Sequence, residues 1–143
     1  MLIKVKPIQS KAEQEEACAR CGIPYDVDLL AYAATVNDEL VGICQFTMNA
    51  DGGSLRSMGT VIGREIDFEA MFVLGRAALN FIDLCGVHCA AYEAPVEGEE
   101  MLRLVRAVGF SPDENGRLTV DLTHFFEHPC QHHSTGAEFK KQN

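Results

Sequence analysis

The chain has 143 residues, the size of one domain, and 47% hydrophobic with 23% charged content supports a single core and excludes a disordered polymer. Its formal net charge of −9, from 12 Lys and Arg against 21 Asp and Glu, excludes the clustered basic surface that nucleic-acid backbones demand. No apolar run approaches the roughly 20 residues that span a membrane, and "MLIKVKPIQS" carries no apolar stretch with a small-residue cleavage site. A cytoplasmic location with no nucleic-acid or membrane partner is therefore expected.

In chain order, "LIKVKPI" alternates apolar and charged residues as a half-buried strand closed by Pro7. "SKAEQEEACARCG" then reads as a helix, with Ser10 and Glu13 as a capping box and Gly22 as the stop. "IPYDVDLL" reads as irregular or helical. "AYAATV", "ELVGICQFTMN" and "SLRSMGTVI" follow as an antiparallel meander, separated by the turn-forming "NDE" and "ADGG".

The stretch "REIDFEAMFVLGRAALNFIDLCGV" changes period. Phe68, Met71, Phe72, Gly75, Ala78, Leu79, Ile82 and Cys85 recur at helical steps, leaving a narrow polar edge at Glu69, Arg76, Asn80 and Asp83. "VHCAAYEA" is the next strand, placing Glu93 on the face opposite His88, Ala90 and Tyr92. "EEMLRLVRAVGF" is an amphipathic helix with Glu99, Glu100, Arg103 and Arg106 outward, and "RLTVDL" is a last strand after the turn "PDENGR", with one further strand near Phe110. Residues 1–122 form the expected domain, of α/β or α+β class with a mixed sheet, and 123–143 a short helix and polar His-rich tail. Six cysteines without a secretory signal read as reduced thiols, with Cys44, Cys85 and Cys89 as small core residues.

This order, with "GRAALNFIDLCGV" before a strand and "LRLVRAVGF" closing the next helix, resembles the GNAT superfamily of acyl-CoA-dependent N-acyltransferases over most of residues 1–122. The resemblance implies a mostly antiparallel central sheet flanked by helices, acetyl-CoA as acyl donor, and a small-molecule or peptide amine as acceptor. A homodimer is a further expectation. In that family the fourth strand offers backbone groups to the pantetheine arm, which falls here on Thr60, Val61 and Ile62. A glycine-rich loop then wraps the pyrophosphate at the next helix, which falls on Arg64 and on Phe68, Glu69, Ala70 and Met71.

The loop departs from that pattern: residues 66–71 contain no glycine, and Glu65, Asp67 and Glu69 are acidic. Asp67 reads as a helix N-cap, where its charge complements the helix dipole by about 0.3–1 kcal/mol and repels a pyrophosphate. Weak or absent cofactor binding follows. The family's general-acid tyrosine and its asparagine map to Val105 and Gly98, neither of which transfers a proton. Glu93 is the remaining candidate base, provided that burial raises its pKa.

Two alternatives stay open: a GNAT-like binding or interaction domain without catalysis, and a small zinc-stabilised protein. The second would join Cys18 and Cys21 to His124, His128, Cys130, His132 and His133. The "CARC" pair lies at a helix C-terminus, where the dipole disfavours thiolate, so a redox role is not assigned, and neither is a metal site.

Overall fold

The computed structural model describes residues 1–127. Its elements are β1 (Ile3–Pro7), α1 (Lys11–Cys21), β2 (Leu30–Val36), β3 (Glu39–Asn49), β4 (Gly52–Thr60), α2 (Phe68–Leu84), β5 (Cys89–Tyr92), α3 (Glu99–Val108), β6 (Ser111–Pro112) and β7 (Leu118–Asp121). Seven strands form one mixed, mostly antiparallel sheet in the order β1-β2-β3-β4-β5-β7-β6, in which only β4 and β5 pair in parallel. The α/β class and single-domain sheet match the expectation.

Local chemistry accounts for the elements. Ser10 Oγ accepts from the Glu13 N–H at 3.3 Å to open α1, and Gly22 closes it in the left-handed conformation. Asn37 and Asp38 both take positive φ, 51° and 70°, the geometry that suits a tight β2–β3 turn. The segment 23–29 contains no helix, and Leu30 already belongs to β2.

Two cores flank the sheet. The larger packs α2 and α3 on one face, with Leu55, Met71, Leu74, Leu79, Ile82, Leu104 and Val105 buried together. The smaller seats Ala17, Cys18 and Cys21 of α1 on Ala31 and Ile43 of the other face. Close approach of α2 and α3 requires Gly75, where a Cβ would sit 2.8 Å from Val108 Cγ2.

One expectation changes. Cys44 is buried, but Cys85 and Cys89 are exposed, because Cys85 caps α2 beyond its packed stripe and Cys89 points from β5 away from α2 and α3. The further strand expected near Phe110 is present as the two-residue β6. Residues 123–127 form turns, with His124 at φ 61°, and the rest of the segment expected as a short helix and His-rich tail, including His128, Cys130, His132 and His133, lies outside the described residues.

Candidate active site

β4 and β5 pair from Gly53–Ala90 to Leu55–Tyr92, and a final bond of 2.8 Å joins the Glu93 N–H to the Leu55 carbonyl. Residues 56–60 of β4 continue without a β5 partner, so the sheet forks there. The fork coincides with a bulge. Gln45 pairs with Ser57 and Phe46 with Leu55, which leaves Arg56 as the extra residue of β4. A bulge leaves its extra residue out of the ladder and re-aims side chains, so Arg56 and Ser57 both project from the α1 face.

Ser57 Oγ accepts at 2.9 Å from Gln45 Nε2, inside a buried amide network. Gln45 Nε2 also donates to the Pro24 carbonyl at 2.7 Å, while its Oε1 accepts from Gln14 Nε2 at 2.8 Å and from the Asp26 N–H at 3.2 Å. Both N–H groups and both lone pairs of the Gln45 amide are thereby used. The network anchors segment 23–29 beside the fork.

On the other face the loop leads into α2. Asp67 Oδ1 accepts from the Ala70 N–H at 3.0 Å, so Asp67 is the N-cap. The N–H groups of Phe68 and Glu69 have no partner among the described residues. Phe68 is half-buried and Glu69 exposed, whereas Ala70 and Met71 are fully buried, with Met71 packed over Gly42. Val61 and Ile62 donate their N–H groups to the carbonyls of Val41 and Arg20, at 3.0 and 2.9 Å, which leaves neither free to polarise a thioester. Arg64 is half-exposed and 3.9 Å from Glu39.

The helix start has a second cation. The Arg103 guanidinium of α3 lies 4.4 Å above the Phe68 ring. Its outward position on α3 is legible from periodicity, but its neighbour depends on how α3 packs against α2. Two buried hydroxyls without partners among the described residues, Thr60 Oγ1 and Tyr92 Oη, lie on the strands that border the fork. Burial pushes the Tyr92 phenol far up. Val105 lies in the apolar core and Gly98 caps α3 without a side chain, so neither supplies a proton.

Glu93 follows β5 directly and faces a groove of about 260 Å³ on the α1 side of the sheet, shared with Ser54, Arg56, Cys89, Arg117 and Thr119. The Ser54 hydroxyl donates to Glu93 Oε1, and Arg117 Nη2 donates to Oε2 at 3.1 Å. Arg56 Nε donates to Ser54 Oγ at 3.1 Å and stands 3.7 Å from Oε1. These partners, the Ser54 hydroxyl first and Arg117 second, hold the Glu93 carboxyl below its ordinary pKa. The condition for Glu93 as a base, a pKa raised by burial, is not met. Ser54, Arg56 and Arg117 carry no motif; the only sequence signal is three polar side chains, Ser54, Arg56 and Ser57, in the strand "SLRSMG".

Cys18 and Cys21 face the smaller core, where burial raises both thiols, Cys21 to about 11. Among the described residues no group of three or more His, Cys, Asp or Glu converges as a metal site, and no helix is long and apolar enough to cross a membrane.

No family model matches the sequence, and no curated protein matches it either. Solved structures do resemble it. A Bacillus subtilis acetyltransferase in complex with CoA superimposes with a TM-score of 0.65 at 14% identity, covering 85% of this chain and 99% of that one. An Escherichia coli putative N-acetyltransferase bound to coenzyme A gives 0.60 at 19%, covering 85% and 99%. The ribosomal-protein-S18-alanine N-acetyltransferase of Escherichia coli gives 0.63 at 12%, covering 85% and 94%. The protein has the fold of the GNAT N-acetyltransferases.

Proposed function

We propose that this chain is an acetyl-CoA-dependent N-acyltransferase acting on a small-molecule or peptide amine. The observation that carries the reading is the fork beside the Arg56 bulge, bordered by two buried hydroxyls that lack partners among the described residues. An unpaired buried hydroxyl costs about 1–3 kcal/mol, a cost relieved when an amide-bearing arm enters. Structural neighbours bound to CoA support the same reading.

Acetyl-CoA would supply the activated acyl group. The free N–H groups of Phe68 and Glu69, with Arg103 and Arg64 nearby, would hold its diphosphate, offsetting the carboxylates of Glu65, Asp67 and Glu69. Val105 lies in the core and Glu93 is kept ionised, so neither of these two residues acts as a general acid at the fork. The proton released by the acceptor amine would pass to water, and the thiol leaving group of the acyl donor would take its proton from water.

The test is thermal. Acetyl-CoA at 100 times its Kd stabilises the folded chain by about 2.7 kcal/mol, a shift of several degrees in Tm. Arg103→Ala should weaken that binding roughly tenfold. An unmoved Tm with both acetyl-CoA and CoA would sink the enzyme reading in favour of a non-catalytic GNAT-fold binding domain, which the acidic start of α2 favours.

A further inference from the structure

The groove on the α1 face is lined by two guanidiniums and by two acidic residues, Glu93 and Asp51, of which only Glu93 bonds the arginines, and the hydrogen-bonding capacities of Glu93 and the two arginines do not match. Both Glu93 oxygens are engaged, Oε1 by Ser54 and Oε2 by Arg117. Arg56 spends only its Nε and Arg117 only one Nη on side-chain partners among the described residues. Both arginines line the groove beside Thr119 and Ser54, and their remaining guanidinium N–H groups have no side-chain acceptor among the described residues.

A free amine or polyamine finds no counter-charge beside the two arginines, because the Glu93 carboxylate is saturated and flanked by cations. An incoming carboxylate finds two planar forks already held in place by Glu93, the arrangement that binds carboxylates in bidentate fashion. With a net charge of −9, the protein as a whole does not draw anions in, so this selectivity is local to the two arginines. Distance sets the rest of the acceptor. Arg56 is also the bulge residue at the fork, so an acceptor whose carboxylate rests on it carries its amine only a few bonds away. The cavity of about 260 Å³ lies at the lower edge of small-ligand pockets, which suits a compact molecule.

We propose that the acceptor is a free α-amino acid, bound by its carboxylate to Arg56 and Arg117 with its amine directed to the fork; this rests on the acyltransferase reading. Glu93 is then a positioning residue for the two arginines.

The experiment is ligand-detected NMR on the full chain without acyl-CoA, using the twenty amino acids and their α-amides at up to about 10 mM. At least one amino acid should bind, with its amide roughly tenfold weaker, and Arg56→Gln/Arg117→Gln should remove that difference. Arg117→Gln alone, at a side chain 61% exposed, provides a variant whose folding is not in question. Three results overturn the proposal: no amino acid binds, amides bind as well as acids, or the variants keep the preference. Since no acyl-CoA is present, this outcome is independent of the melting test with acetyl-CoA. A chain that shifts with acetyl-CoA yet ignores amino acids keeps its enzyme reading and loses this acceptor.

Discussion

On its α2 side, β4 sets Leu55 and Met58 into the larger core, against a helix that buries Leu74, Ala78, Leu79 and Ile82. On its α1 side the same strand presents Ser54, Arg56 and Ser57, each hydrogen-bonded to residues distant in the chain or across the bulge. The first face is held by area and shape, so almost any loss of volume is felt. The second is held by a few directional contacts, which contribute little to stability and much to what the groove can bind. Substitutions on the two faces should therefore separate folding from function.

The largest effect is expected on the apolar side. Leu79→Ala removes a fully buried side chain and should cost about 2–5 kcal/mol, a fall in Tm of roughly ten degrees by circular dichroism. A melt unchanged within two degrees, on the order of 0.5 kcal/mol, would mean that α2 is not packed as described. Gly75→Val drives a methyl-bearing carbon into Val108 and should cost about 1–3 kcal/mol by overpacking.

Asp67→Ala sits between the faces and sharpens the contrast, because its two readouts should move in opposite directions. Loss of the cap destabilises by about 1 kcal/mol, while removing the charge and freeing the Ala70 N–H should tighten acetyl-CoA binding. Equal or weaker binding would show that Asp67 does not obstruct the diphosphate.

The smallest effect belongs to Glu93→Gln at neutral pH. The folded Glu93 pKa lies below its ordinary value of 4.5, so its contribution is present above that value and is lost as pH falls through the folded pKa. The Tm difference between wild type and Glu93→Gln should be constant above about pH 5 and shrink below it. A difference that instead grows on acidification would reverse the assigned direction.

How much was legible follows the same division. The helix from Phe68 to Leu84 stands in the spacing of its apolar residues, and Asp67 as its cap stands in the residue type and place. The fork position of Glu93 follows from its place at the end of the fifth strand. Its acidity does not, because the partners that set it, Ser54 and Arg117, lie 39 and 24 residues away. The bulge at Arg56 depends on the register between β3 and β4, which no local pattern encodes. Thr60, Val61 and Ile62 read as one run of backbone donors, yet Ile62 is claimed by the Arg20 carbonyl at the end of α1, a contact visible only in three dimensions.

The saturated amide of Gln45 has a consequence for motion. Segment 23–29 lies between regular elements, where backbone amides normally exchange with solvent freely. Here the Asp26 N–H bonds to a buried side chain that is itself held by Gln14, Pro24 and Ser57. Its exchange requires the whole network to open, so Asp26 should exchange at the pace of the sheet rather than of a loop. Segment 23–29, beside the fork, would then be as slow to move as β3 itself.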